Sequence, residues 1–211
     1  MAFVKQSKVC IELLYVDVCM TLLYTKFNHH VQEESMRYFE INGNLANETE
    51  LNYTKFSNDI SLVRNFYINQ FGEDLMNSIE LYVDNATKAS GTCPVITPIF
   101  RKYLIIKLEI DNDRREGEII FQSSHEFMHY VYFAIKGINK EMADVEEESI
   151  CSAASLILVN MFYPLDFPYY FELLKNYNNE GYRKGVHVAE SVDFDFQKLK
   201  ELVYAKTGYQ G

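Results

Sequence analysis

The stretch that decides the reading is Phe121-Gln122-Ser123-Ser124-His125-Glu126-Phe127-Met128-His129-Tyr130. It contains an HExxH sequence, and the residues after it keep a helical pattern as far as Lys136, where Gly137 suits a helix stop. On an α-helix, positions i and i+4 lie one turn apart on the same face, so His125 and His129 can grip one ion from one side. Zinc suits such a pair, because it takes neutral imidazole nitrogen and its catalytic sites use three protein ligands with a further position left for water. Glu126, next to the first histidine, is then placed to act as a general base.

Upstream of the motif, Tyr103 to Ile110 is rich in residues that suit a pleated sheet, and Asp111-Asn112-Asp113 with Gly117 is turn chemistry. Glu118-Ile119-Ile120-Phe121 reads as the return strand of a hairpin, leading into a helix from about Ser123. Downstream, a helix is expected from about Met142 to Phe162, opened by Asp144 and Glu146-Glu147-Glu148, with Pro164 beyond its end. This helix supplies a third ligand. Glu148 shares a stripe with Cys151, Ser155 and Leu158, while Glu147 shares one with Ile150, Cys151 and Ala154, so both carboxylates are candidates and Glu148 is preferred. The small residues after them, Ser149 to Ser155, allow close approach of a neighbouring helix.

Farther out the signals are weaker. Val9, Leu13, Val16 and Met20 have helical spacing, residues 40 to 60 have the Asn-rich composition of a surface loop, and Ile60, Val63, Phe66, Phe71, Leu75 and Ile79 form the apolar side of a helix over about Ser57 to Val83, with Gly72 as a break. The last forty residues read as an aromatic-rich turn region around Pro168 and a short helix from Phe196 to Ala205.

The composition narrows the classes of function. The chain has 211 residues, 48% of them hydrophobic and 15% aromatic, enough for a buried core and incompatible with intrinsic disorder. Thirty acidic against 20 basic residues give a net charge of −10, which argues against direct binding of nucleic acid or an anionic membrane. Cys10, Cys19, Cys93 and Cys151 form no CxxC pair, as expected of reduced thiols in a cytoplasmic protein. The apolar run Val9 to Tyr24 is broken by Glu12 and Asp17, so no membrane span is expected.

An apolar strand end leading into HExxH with an aromatic after it, followed by a helix opened by Glu and rich in small residues, resembles the ImmA/IrrE-type zinc metallopeptidases of bacteria and their mobile elements. The resemblance covers residues 100 to about 164. It places Cys151, Ser155 and Leu158 at the two Ala positions and the first Leu of the family's second helix. This chain departs from the pattern at Met128, Ser152 and Ala154. The resemblance implies a zincin-like α+β domain with a small antiparallel-containing sheet, with His125, His129 and Glu148 on zinc and Glu126 as base. It also implies peptide-bond hydrolysis, with a helix-turn-helix repressor as a substrate. On this reading residues 1–211 form one domain: a mainly helical region 1–90, a catalytic core 91–164 and a C-terminal region 165–211. The alternative function is a non-catalytic zincin-like module that binds a regulatory protein.

Several other residues carry two readings each. Tyr130 is a candidate oxyanion donor or a packing residue, and His187 a candidate transition-state donor or a solvated side chain. His29-His30 reads as surface. Ser124 and Asp144 are candidates for orienting the ligand imidazoles.

Overall fold

The computed structural model describes residues 39–42, 53–85, 94–110 and 115–210, all within the unit Tyr38–Gly211. The helix expected around residues 9 to 20 and the His29-His30 pair lie outside the described residues.

Helix α1, Tyr53–Phe71, buries Phe56, Ile60, Val63, Tyr67 and Phe71, three to four residues apart and therefore on one side. It ends at Gly72, whose φ of 89° and ψ of 151° suit only glycine. A single turn, α2 (Glu73–Met76), follows. The expected continuation to Val83 is not formed. Glu80–Asn85 is strand β2, because Leu81, Val83 and Asn85 alternate inward with period two once the chain has turned at Asn77 to Ile79. The loop expected from residue 40 likewise begins with strand β1, Phe39–Asn42.

Strands β3 (Val95–Ile99) and β4 (Tyr103–Leu108) form a hairpin whose connection carries Phe100 and Arg101 at φ of 50° and 56°. The sheet order is β1-β2-β4-β3, with β1–β2 and β2–β4 parallel and only β3–β4 antiparallel. The register pairs Leu81 with Leu104 and Val83 with Ile106, which gives the sheet one buried face. Among the described residues, β1 and β3 are its two edges.

Residues 118–121 are the first turn of helix α3, Glu118–Lys136, and form no return strand. The reason is burial. Fifteen of its nineteen residues are buried, so the helix is enclosed on almost every side and the Ile119-Ile120-Phe121 run, with no exposed polar face to set against it, lacks the helical period a sequence can show. The Gly117 N–H at its start donates to Asp166 Oδ2 at 2.8 Å, a long-range partner. Within the core, the Tyr67 hydroxyl of α1 donates to the Ser124 carbonyl at 2.7 Å.

Helix α4, Val145–Phe162, begins three residues after the expected Met142 because Asp144 is its cap, accepting from the Glu146 and Glu147 N–H groups at 2.9 and 2.8 Å. Asp144→Ala is expected to cost about 1 kcal/mol of stability, read as a shift in the denaturation midpoint. The turn region expected around Pro168 is helix α5, Phe167–Lys175, with Pro168 in its first turn, where a missing N–H does no harm. Helix α6, Glu180–Ser191, had no counterpart in the expectation, and α7, Phe196–Thr207, matches the one expected from Phe196. The architecture is mixed α+β, with seven helices and a four-stranded sheet among the described residues. No described helix is long and apolar enough to cross a membrane.

The closest helix packing joins α4 to α6. A Cβ on Gly185 would lie 2.4 Å from Ser152 Cβ and 3.0 Å from the Ser149 carbonyl, and one on Gly181 would lie 2.6 Å from Glu148 Cβ. The two glycines are one turn apart on α6: Gly185 meets the small residues Ser149, Ser152 and Ala153 of α4, and Gly181 meets its first turn at Val145 and Glu148, so the backbones approach closely along this line.

Candidate metal centre

Helix α3 presents His125 and His129 on one face, with their Nε2 atoms 3.1 Å apart. Both residues are only 6% exposed. Helix α4 crosses this face and brings up its first-turn carboxylates. Glu148 Oε2 lies 3.2 Å from His125 Nε2, and Oε1 lies 3.5 Å from His129 Nε2. Glu147 goes to the other edge of the same ring, with Oε1 at 2.8 Å from His129 Nδ1. Cys151 Sγ lies 3.4 Å from that same Nδ1. His125, His129 and Cys151 thus sit close enough together to hold a metal ion, with ligand atoms within 4.8 Å of one another.

Two candidate sets therefore share the histidines. One adds Glu148 at the Nε2 atoms, and the other adds Cys151 behind His129. The donor spacing of the first comes close to that of a small tetrahedral ion, for which bonds of about 2.0–2.2 Å place neighbouring donors roughly 3.3–3.6 Å apart. The two Nε2 atoms are 3.1 Å apart, Glu148 Oε2 is 3.2 Å from His125 and Oε1 is 3.5 Å from His129, slightly tighter than that spacing and shared between both carboxylate oxygens. Cys151 is fully buried, and that burial pushes its thiol up to about 12, away from the thiolate that binds metals.

Electrostatics separate the four carboxylate and imidazole roles. Burial raises the Glu126 pKa; the nearby histidines and a backbone hydrogen bond at Ile96 offset this only in part. Burial also opposes charge on Glu148, yet hydrogen bonds and charge from His125 and His129 hold its carboxyl well below the usual range. Glu147 is held low in the same way by His129 and Lys140, again against burial. For His129, burial disfavours the cation, but Cys151, Glu147 and Glu148 overcome it and raise the pKa well above the ordinary histidine value. Lys140 Nζ lies 2.7 Å from Glu147 Oε1, both side chains 5% exposed, and 4.5 Å from the centre of the Phe133 ring. Lys140, Glu147 and His129 thus form a buried relay that fixes the ring and aims its Nε2 at His125 and Glu148.

Tyr182 of α6 is a site residue that the sequence reading missed. Its ring stacks on His125, with centroids 5.1 Å apart and planes at 16°, and it borders the clefts on both sides of Glu126. The signal lay in the helix that carries it, since Gly181 and Gly185 flank Tyr182 at the spacing of a close helix contact.

The other candidates are placed elsewhere. Tyr130 is buried, and its hydroxyl reaches the Met76 and Ile79 carbonyls at 3.1 and 2.7 Å and accepts from the Ile79 N–H at 3.1 Å; it anchors the turn before β2. His187 projects from α6 with its side chain 82% exposed, beside Glu190. Asp144 caps α4 and does not touch the imidazoles, and the buried Ser124 hydroxyl has no hydrogen-bond partner among the described residues. The ring-orienting role expected of these two falls to Glu147 for His129 and to Tyr182 for His125.

Comparison with known protein families, with curated proteins and with solved structures gives no match.

Proposed function

We propose that the chain is a zinc-dependent metallopeptidase that holds the ion with His125, His129 and Glu148 and uses Glu126 as its general base. The observation that carries this reading is the convergence of two imidazole Nε2 atoms and one carboxylate at the donor separations given above, beside a second, buried carboxylate whose proton affinity is raised. A zinc ion there would supply the Lewis acidity that makes water nucleophilic near neutral pH. Glu126, with its raised pKa, is suited to take a proton from the attacking water and deliver it to the departing amine nitrogen. The edge of β3, unpaired among the described residues, supports a peptide as substrate, because Val95, Ile96, Thr97 and Pro98 border the same cleft as Glu126 and an extended chain can lie along an open sheet edge. A repressor-type protein as the physiological substrate rests on the resemblance to ImmA/IrrE-type peptidases alone.

Metal analysis tests the ligand set. The chain is expected to hold about one zinc per molecule, in keeping with a single three-ligand site. His125→Ala and Glu148→Ala abolish that binding and Cys151→Ser retains it; the reverse result for Glu148 and Cys151 would transfer the third ligand to the thiol. Hydrolysis of unfolded protein should stop on chelation and return with zinc. A zinc-loaded chain without such hydrolysis would favour the non-catalytic binding module.

The relay behind His129 makes a further prediction. Glu147→Gln removes a charged acceptor at Nδ1 and leaves Lys140 buried without its partner. Zinc affinity is expected to fall about 10–100-fold with stoichiometry kept, as measured by competition with a chelating dye.

A further inference from the structure

We propose that the cleft on the α5 side of Glu126 is a specificity pocket for a large aromatic or aliphatic side chain of the substrate, and that it rejects acidic ones. The inference rests on the peptidase reading above and names what that site selects. The cleft has a volume of about 930 Å³ and reaches from His125 and Glu126 to α5. Its walls are rings and leucines: Phe121 from α3, Tyr169, Tyr170 and Leu173 from α5, Tyr177 from the next loop and Tyr182 from α6.

These rings are braced against one another. Phe121 stacks on Tyr170 at 4.3 Å, and Tyr177 stacks on Tyr182 at 5.0 Å, which itself lies on His125. A pocket whose walls are already packed loses little conformational freedom on binding. The apolar surface is also uncovered, since Tyr169 is 44%, Leu173 37% and Tyr177 41% exposed. Such exposure beside a catalytic carboxylate marks the place where a substrate residue completes the packing.

The polar end of the cleft sets the sign of the selection. Glu109 and Glu118 line it with Gln122, whose amide is held by the Glu109 backbone through two hydrogen bonds of 2.8 Å. The cation at the rim, Arg115, faces Asp166 at 3.5 Å and the Tyr169 ring at 4.2 Å. A carboxylate entering this cleft meets like charge on the acids and an arginine already engaged. The apolar walls extend to the rim, so bulk contributes more to binding than a charged tip.

The protein contains no tryptophan, so a peptide with a single Trp is the only indole in the sample. The test titrates the full-length, zinc-loaded Glu126→Gln chain into acetyl-Ala-Ala-Trp-Ala-Ala-amide with red-edge excitation. Expected are a blue-shifted emission and displacement by the Phe and Leu counterparts, with at least about tenfold weaker competition from the Ala, Lys and Glu counterparts. Leu173→Glu in the same background, at unchanged zinc content and melting behaviour, weakens the Trp peptide at least about tenfold. No emission shift, competition by Lys or Glu as strong as by Phe, or an unaltered affinity in the Leu173→Glu chain overturns the proposal. Peptide cleavage by the parent chain is scored separately. Binding with this selectivity but without Glu126-dependent cleavage would sink the peptidase reading and leave the pocket standing. Cleavage without the selectivity would do the opposite.

Discussion

Glu126→Gln is expected to bind zinc as the parent chain does and to hydrolyse peptides about 10²–10⁴-fold more slowly. The amide keeps the size of the side chain and its place in the buried pocket, so the neighbouring imidazoles and Glu148 need not move. What is lost is the ability to accept a proton. Glu126 is 2% exposed, and its burial raises the proton affinity that a shuttle requires. The decisive comparison is kcat at equal zinc content. A Gln variant with kcat within threefold of the parent would remove Glu126 from the reaction, and one that also lost zinc would make it part of the metal's surroundings instead.

Gly185→Ala is expected to be the most damaging single-methyl change in the described residues. The added carbon would sit 2.4 Å from Ser152 Cβ and within 3.0–3.2 Å of backbone atoms of Ser149 and Ala153, none of which can rotate away. Overpacking of this kind costs about 1–3 kcal/mol, to be read as a lowered denaturation midpoint at unchanged denaturant slope. The damage extends to the site, because pushing α6 off α4 moves Tyr182 away from His125. Gly185→Ala with Ser152→Gly should recover part of the loss. Additive effects of the two substitutions would show that the contact is not shared.

The pattern of what the sequence revealed has physical causes. His125, Glu126, His129 and the pair Glu147 and Glu148 were legible because one helical turn and one short connection fix their relation, whatever the rest of the chain does. The choice between the two glutamates was open because both α4 positions face α3, and only the crossing of the helices sends Glu148 to Nε2 and Glu147 to Nδ1 of the same ring. Glu118 to Phe121 looked like a strand because burial on every side of a helix erases its amphipathic period. Leu81 and Val83 were absorbed into a helix because the apolar positions before them continued in step with α1, and the turn at Asn77 to Ile79 depends on distant partners such as Tyr130. Tyr182 lies 34 residues after Glu148 along the chain, beyond any spacing rule. Its place follows from α6 lying flat on the small-residue face of α4.

The proximity of the donors along the chain also bears on how the protein reaches its folded state. His125, His129 and Glu148 fall within 24 consecutive residues, on two helices joined by one loop, so bringing them together closes only a short stretch of chain. A metal ion captured by that helical hairpin would fix its register before the sheet is complete. The cleft cannot form so early, since its walls come from residues as far apart as Pro94 and Tyr182. If the proposed ion is bound, it would act as a local folding nucleus, and the cleft, built from distant segments, would be completed after it.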